Sequence, residues 1–227
     1  MERKVLNVGG NDKAIKIPSC YAHWTHHLLD IDPTGNPDIL CDARNLQTIR
    51  GNEYDSVYCS HNLEHYFSHD VPKVLLGFHH VLKDDGFAFI KVPDIVSVMR
   101  RLAQEGLDVD DVLYQSNAGP ISVKDVIYGL GRQIEQSGCD FYAHKTGFSL
   151  KSLLSVLKDC GFMHAYHLPG NLEICVIAFK NSPSNEATKL LNLAAFNSEK
   201  AIAPKFQTGT PVYWRGNDQL DFVSGLG

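Results

Sequence analysis

The chain has 227 residues, of which 44% are hydrophobic and 21% charged, and its formal net charge is −5. This length suits one large domain, or one domain with an appended tail. The acidic balance and the lack of a lysine- or arginine-rich cluster argue against a nucleic-acid partner. No segment reaches the roughly 18 consecutive apolar residues of a membrane span, and the amino-terminal residues read as a strand, so we expect no membrane partner and no cleaved signal peptide.

Short apolar runs closed by polar residues or turns predict five β-strands in the first half of the chain. The strands are 4–10 (KVLNVGG), 27–33 (HLLDIDP), 37–42 (PDILCD), 54–60 (YDSVYCS) and 86–93 (GFAFIKVP). Helical spacing of apolar residues follows the last two strands, in segments 70–86 and 94–106, and a glycine ends each segment.

In the second half of the chain, the spacing of apolar residues is weakly periodic over 107–147 and clearly periodic from 149 to 180. Within 107–147 the sequence predicts one helix, over 122–138, flanked by loops. An amphipathic helix with a serine N-cap follows at 149–162. Two strands, 163–170 and 171–180, then form a hairpin, and a short helix is expected at 185–195 before a poorly patterned tail.

Alternation of strands and helices predicts an α/β protein with an open, largely parallel sheet and helices on both faces. We expect one domain over 1–182, in which 107–148 is an insert that covers the site, and a C-terminal helix and tail over 183–227. Ligands of such sheets bind at the carboxyl ends of the strands, near the switch in strand order.

Polar residues and glycines at three successive strand ends favour a nucleotide-like ligand. Gly9 and Gly10 would let the backbone approach a ligand closely, although for two adjacent glycines taken alone a tight turn without a ligand is the favoured interpretation. Asp30 lies at the end of the second strand, about 20 residues after these glycines. A carboxylate at this position can accept hydrogen bonds from ribose hydroxyls. After the third strand, Asp42 could accept from an exocyclic amine and Ala43 could donate its N–H to a ring nitrogen. Each aspartate could instead be a turn or cap residue.

Six cysteines are dispersed along the chain without a C-x-x-C pair, at Cys20, Cys41, Cys59, Cys139, Cys160 and Cys175. Three of them lie in or beside apolar strand-like runs, which favours buried thiols over a disulfide framework. We therefore expect a cytoplasmic protein.

Six segments resemble class I S-adenosylmethionine-dependent methyltransferases, in the order found in that superfamily. They are VLNVGGN, LLDIDP, PDILCDARNL, YDSVYCSHNLEH, HHVLKDDGFAFIKVPD and LLSVLKDCGF. The similarity covers about residues 4–180, and segment 117–148 resembles a region of a bacterial methyltransferase-like subgroup with the LEH motif. Two departures stand out, because VGGND replaces the usual G-x-G-x-G and VLKDDGF the usual Pro-Gly-Gly.

The resemblance implies a Rossmann-like fold with a mostly parallel seven-stranded sheet and an antiparallel C-terminal hairpin strand. It also implies S-adenosylmethionine as the cofactor. In the superfamily the glycine loop faces the methionine part, the acid after strand two holds the ribose, and residues after strand four lie beside the sulfonium. The matching cofactor-binding positions are Asn7, Gly9, Gly10, Asp30, Ile31, Asp42, Ala43, Ser60 and His61.

The stretch SHNLEHYFSHD (60–70) contains H-x-x-E-H, a zinc signature that requires both histidines on one helix. Because a strand directly precedes His61 and the next helix begins near residue 70, we expect no metal ligand here. His61 is a candidate catalytic residue at the exit of strand four. Glu64 and His65 are interpreted as a carboxylate–imidazole pair that fixes the loop.

A second polar and aromatic cluster, DFYAHKTGF (140–148), supplies the other catalytic candidates. Tyr142 and His144 could line the substrate side, with His144 as a base near neutral pH. An aromatic-rich loop that packs on the sheet is the alternative.

Three functions fit this sequence. The leading one is methyl transfer to O, N or S of a small metabolite. The second is attack by the cofactor's own amine on its γ-carbon, which forms an azetidine and releases methylthioadenosine. The third is a non-catalytic cofactor-binding protein. The partner expected is a small-molecule substrate, and the sequence leaves open whether the chain forms a homodimer.

Overall fold

The computed structural model describes residues 2–116 and 118–193 and the backbone of residues 213–215. The strands are β1 (Lys4–Val8), β2 (Thr25–Asp30), β3 (Ile39–Leu40), β4 (Tyr54–Ser60), β5 (Leu82–Pro93), β6 (Val112–Ser116), β7 (Gly119–Ser122), β8 (His164–Leu168), β9 (Glu173–Phe179) and β10 (Tyr213–Arg215). The α-helices are α1 (Val71–Val81), α2 (Ile95–Glu105), α3 (Val123–Tyr128), α4 (Gly131–Ser137), α5 (Leu150–Asp159) and α6 (Asn185–Leu190). Short 3-10 helices cover Ser19–Tyr21, Pro33–Gly35, Ala43–Thr48, Leu63–His65 and Asp140–Tyr142.

The main sheet has the order β10-β8-β9-β5-β4-β1-β2-β3. Strands β1 to β5 are mutually parallel, whereas β9 is antiparallel to β5 and to β8. The strand order reverses between β1 and β4, so the carboxyl ends of these two strands flank the switch point where such sheets bind ligands. The predicted Rossmann-like methyltransferase fold is confirmed, and β10 adds a short eighth strand from the tail.

Both faces of the sheet are covered, by elements of different kinds. Helices α1 and α5 and the 3-10 helix Ala43–Thr48 bury one face in a large core that includes Phe78 and Leu153. The other face packs against Ser19–Tyr21 and α6 around Phe87 and Phe179. Among the described residues, β1 and β2 are joined without an α-helix, which leaves the loop after β1 open to residues from β4.

The predicted helix over 122–138 is two helices, α3 and α4. The break falls at Gly129, whose φ is +94° and whose backbone bridges to Ala143. A Cβ at Gly129 would lie 2.1 Å from the carbonyl oxygen of Tyr142, so only glycine fits there. The hairpin β6–β7 was not predicted, and the helix expected at 185–195 ends at Leu190, with 194–195 outside the described residues.

The insert has its own small core beyond the carboxyl edge of the sheet. Val98 of α2, Leu113 of β6 and Val126 of α3 are buried together there. Asp94 ties this unit to the sheet, because its N–H donates to the carbonyl of Leu172 at 3.0 Å. The insert therefore lies where β5 ends and β9 begins. Among the described residues, no helix is long and apolar enough to cross a membrane.

Gly77→Ala is expected to destabilise the protein. Helix α1 approaches the 3-10 helix Ala43–Thr48 so closely that a Cβ at Gly77 would lie 2.6 Å from Cβ of Leu46. Overpacking costs about 1–3 kcal/mol, against a gain of up to about 1 kcal/mol from helix propensity. Urea unfolding should show a lower free energy of unfolding. The control is Gly131→Ala in α4, where the nearest atom is 3.9 Å away, and equal effects of the two substitutions would contradict this account.

Candidate functional site

The carboxyl end of β2 presents an acid and an apolar side chain side by side. Asp30 is only 8% exposed, and its two oxygens accept from the N–H groups of Asn11 at 2.9 Å and Asp32 at 3.0 Å. An ionised carboxylate offers about four lone-pair sites, so about two remain for other donors. The neighbouring Ile31 is 40% exposed. An acid with spare acceptor capacity beside a bare apolar side chain suits a nucleoside, whose ribose is polar and whose base is flat.

The glycines after β1 have a packing role of their own. Gly9 has φ +70°, and a Cβ there would lie 2.0 Å from Nδ2 of Asn62. A Cβ at Gly10 would lie 2.2 Å from Nδ2 of Asn7, which is almost fully buried. The loop therefore stays glycine-rich in order to accommodate two asparagine side chains, whether or not a ligand also approaches it.

The turn after β3 is less available to a ligand than the sequence suggests. The carboxylate of Asp42 accepts hydrogen bonds from Nε and Nη2 of Arg44 at 2.6–3.1 Å. It also accepts one from the backbone N–H of Arg44 at 2.9 Å. Burial raises the pKa of Asp42, but the hydrogen bonds and charge of Arg44 outweigh it, so the pKa is lowered overall. Ala43 is buried in the large core. An adenine amine would have to displace Arg44 before it could donate to Asp42.

The exit of β4 carries a charged cluster that connects three strands. Ser60 ends β4 in register with Lys91 of β5. His61 has φ +50°, an uncommon backbone conformation for a residue other than glycine, and its N–H donates to the carbonyl of Lys91 at 2.9 Å. Its Nε2 donates to Glu173 at 3.2 Å, and Lys91 Nζ reaches the other oxygen of Glu173 at 2.9 Å. Glu173 thus joins the ends of β4, β5 and β9.

The contacts within this cluster shift the pKa values of His61 and Glu173. Burial lowers the pKa of His61, but the hydrogen bond to Glu173 and the carboxylate of Glu64 raise it to about 9 overall. The hydrogen bond from His61 lowers the pKa of Glu173 to about 2, with Lys91 acting in the same direction against burial. At neutral pH His61 is therefore a cation, so it is a donor and must lose a proton before it can act as a base.

Glu64 lies behind His61 with its carboxylate buried. It is 1% exposed, and among the described residues neither of its oxygens has a hydrogen-bond donor. Its Oε1 is 3.5 Å from Nδ1 of His61, without hydrogen-bond geometry, and 4.0 Å from Nε2 of His144. Sequence analysis placed His61 and His144 in separate segments, and the structure brings both to one carboxylate.

The segment that contains H-x-x-E-H is not an α-helix. Leu63–His65 forms a single 3-10 turn, so His61 and His65 do not share a helix face as the zinc signature requires. The insert fixes this turn, because the N–H groups of Lys145 and Thr146 reach the carbonyl of Glu64 at 2.7 and 3.2 Å.

The two remaining catalytic candidates lie in the insert. Tyr142 ends the 3-10 helix Asp140–Tyr142 and is partly buried. His144 donates from Nδ1 to the carbonyl of Val126 at 2.9 Å, so only its Nε2 is turned toward Glu64. Burial lowers the pKa of His144, partly offset by Glu64, so its imidazole is neutral at pH 7. The catalytic role of both residues stays a prediction.

Sequence analysis missed Lys91 and Glu173. A signal existed for Lys91, since it is the one charged residue in the apolar run FAFIKV. Glu173 opens a strand near a turn and gave no signal by itself. The two residues meet only because β9 runs antiparallel beside β5.

A broad groove of about 500 Å³ lies at the opposite end of the strands. It is lined by residues near the start of β4, the end of α1 and the end of β9, namely Gln47, Asn52, Leu76, His79, His80 and Lys180. Because ligands of open parallel sheets bind at the carboxyl ends, we assign the functional site to the strand ends described above.

Comparison with known proteins finds a family match over part of the chain. Residues 23–90, less than a third of the chain, match the family model described as a methyltransferase domain. This segment runs from the turn before β2 into β5 and contains Asp30, Asp42 and His61. No curated protein matches the chain significantly.

Solved structures resemble the chain in fold. The PH0226 protein of Pyrococcus horikoshii OT3 has a TM-score of 0.53 at 13% identity, over 80% of this chain and 83% of that one. The CMeT domain of citrinin polyketide synthase has a TM-score of 0.50 at 9% identity, over 80% and 47%. A SAM-dependent methyltransferase from Archaeoglobus fulgidus has a TM-score of 0.46 at 15% identity, over 93% and 84%. At these identities the likeness concerns the fold alone.

Proposed function

We propose that the chain is a class I S-adenosylmethionine-dependent methyltransferase that transfers a methyl group to O, N or S of a small metabolite, which its fold and the family match of residues 23–90 support. S-adenosylmethionine, when bound, supplies an electrophilic methyl carbon on a sulfonium leaving group. The protein then has to hold the cofactor, orient the acceptor and keep water out.

The observation that carries this proposal is the pair Asp30 and Ile31 at the end of β2. Asp30 is fixed by two backbone N–H groups and retains acceptor sites for two ribose hydroxyls. Ile31 offers an exposed apolar surface to the adenine face. These two residues fit the cofactor as they stand, whereas Asp42 is bound by Arg44.

His61, Lys91 and Glu173 are proposed to orient the acceptor. They lie at the ends of adjacent strands, on the side of the switch point where β4 and β5 end. His61 is half-exposed and held in one orientation by Glu173, so its cationic ring and the carboxylate of Glu173 can contact a polar acceptor group from fixed positions. These existing contacts support a role of the cluster in orienting a polar acceptor.

The insert 107–148 is proposed to cover the substrate. It is held to the turn after β4 by the contacts of Lys145 and Thr146 with Glu64, and to β5 by the bridge of Asp94 with Phe148. A cover anchored on both sides leaves room for a small molecule rather than for a polymer. The net charge of −5 favours the same conclusion, and the six free thiols suit a reducing compartment such as the cytoplasm.

Product analysis tests this proposal. We expect the full-length protein with methyl-labelled S-adenosylmethionine to form S-adenosylhomocysteine only when a whole-cell extract is added, with the label in a compound of low mass. Catalytic release of methylthioadenosine from S-adenosylmethionine alone would establish cyclisation and overturn methyl transfer. Label in RNA or protein would overturn the small-metabolite assignment. No product with extract despite cofactor binding would support the non-catalytic alternative.

A further inference from the structure

We propose that Glu64, His65 and His144 form a binding site for a divalent transition-metal ion of the zinc type. Methyl transfer as described above uses no metal, so this inference goes beyond the proposed function. It also differs from the zinc signature in the sequence, which would pair His61 with His65 on a helix.

The three side chains offer converging ligand atoms. One imidazole nitrogen from each histidine and a carboxylate oxygen of Glu64 all lie within 4.8 Å of one another. Zinc binds such atoms at about 2.0–2.2 Å in a tetrahedral arrangement, which corresponds to about 3.4 Å between ligands. Movements of about 1 Å by side chains would therefore complete the site.

The buried carboxylate of Glu64 is the strongest sign of a ligand. It is 1% exposed and, within the described part of the chain, no donor reaches either oxygen. Burying a carboxylate without hydrogen bonds costs several kcal/mol. The nearest cation, on His61, lies 3.5 Å away without hydrogen-bond geometry, and the neutral imidazole of His144 lies 4.0 Å away. A metal ion would supply the missing partner.

Hydrogen bonds from Nδ1 hold both histidine rings in place. Nδ1 of His65 lies 3.1 Å from the carbonyl of Ala143, and Nδ1 of His144 lies 2.9 Å from that of Val126. A carbonyl only accepts, so each Nδ1 carries the proton and each Nε2 keeps a free lone pair. Ligating histidines are commonly held in this way. Since Nε2 of His144 is the nitrogen that faces Glu64, this ring does not need to change tautomer to bind an ion.

The backbone around the three residues is held in place as well. Glu64 and His144 are 80 residues apart in sequence, yet the carbonyl of Glu64 accepts from the N–H groups of Lys145 and Thr146. The N–H of His144 donates to Tyr128 at 3.0 Å. The turn after β4 and the insert are therefore joined by backbone hydrogen bonds on both sides of the three side chains.

Two imidazoles and one carboxylate select the class of ion. Such ligands suit zinc, iron, cobalt and related transition metals, whereas magnesium and calcium prefer oxygen alone. Three protein ligands leave a fourth position open. His61, which is half-exposed and borders Glu64, marks the side from which an ion or a further ligand can reach the site.

Zinc titration of the full-length, chelator-treated protein by calorimetry tests the site. We expect one Zn²⁺ per chain, and about 100-fold or more weaker binding for Glu64→Gln and for His144→Ala, because even partners of metal ligands contribute 10–100-fold. The matched control is His69→Ala, which removes an exposed histidine four residues after His65. It should leave the affinity unchanged.

Cobalt(II) spectra of the unmodified protein give a second readout that does not depend on the variants folding. We expect saturable visible absorption of a tetrahedral Co²⁺ site without a thiolate charge-transfer band, reversed by Zn²⁺. A thiolate band would place the ion on a cysteine and overturn the proposal. No saturable binding, or equal loss in His69→Ala and His144→Ala, would overturn it too. Cofactor binding by the chelator-treated protein is expected to persist, so failure of the metal site and failure of the proposed function are distinguishable.

Discussion

Asp30→Ala is expected to weaken binding of S-adenosylhomocysteine by about 10- to 150-fold. This range corresponds to about 1.5–3 kcal/mol for hydrogen bonds to a charged group. Asp30 also accepts from the N–H of Asn11, so its removal loosens the loop that follows β1 as well. Isothermal titration calorimetry of the folded variant measures the change, and thermal unfolding checks that the fold is retained.

Asp32→Ala is the matched control for this experiment. Asp32 carries the same charge two residues later, but it is only partly buried and its carboxylate caps the turn at Thr34. Its removal should change the affinity by less than about threefold. If both variants bound as tightly as the unmodified protein, the cofactor would lie elsewhere.

Glu173→Gln is expected to lower the free energy of unfolding by about 1–3 kcal/mol at pH 7. Glu173 is the counterion of both Lys91 and His61, and neutralising it leaves two cations facing each other at the ends of β4 and β5. A full shift of its pKa from 4.5 to about 2 would correspond to about 3 kcal/mol. Partial exposure reduces this value.

The effect of Glu173→Gln depends on pH with a defined sign. Because folding lowers the pKa of Glu173, its contribution is fully present above pH 4.5 and is lost as the pH falls toward 2. The difference between the two proteins in urea unfolding should fall to about half at pH 3.5.

Asp84→Asn provides the control for this second variant, since Asp84 pairs with Lys180 at 3.2 Å on the surface. Exposed pairs contribute about 0–1 kcal/mol. A loss for Glu173→Gln no larger than that of Asp84→Asn, or one that grows as the pH falls, would contradict the charged cluster.

Most of the sheet could be predicted from the sequence, because its strands are continuous apolar runs buried on both faces. Strand β4 matches its predicted bounds, 54–60. The hairpin β6–β7 was not predicted, because most of β6 is exposed and its burial does not alternate between successive residues. The break between α3 and α4 was not predicted either. It depends on the carbonyl of Tyr142, which fills the space beside Gly129 and is invisible in a local pattern.

The places of the candidate residues were predictable where they depend on one strand alone. Asp30 and Ile31 needed only the end of β2, and His61 needed only the end of β4. The partners of these residues come from distant segments. The carboxylate of Asp42 is hydrogen-bonded to Arg44, and His61 is hydrogen-bonded to Glu173, which lies 112 residues later in the sequence. His144 reaches Glu64 only after the insert folds back on the turn, and no spacing in a single sequence encodes that contact.

Calorimetric titration of the full-length protein with S-adenosylhomocysteine tests the central claim most directly, namely that the carboxyl ends of β1 and β2 hold the cofactor. The account predicts saturable binding of one molecule per chain, lost or strongly weakened in Asp30→Ala and retained in Asp32→Ala. Absence of saturable binding, together with no thermal shift on adding S-adenosylmethionine, would contradict it.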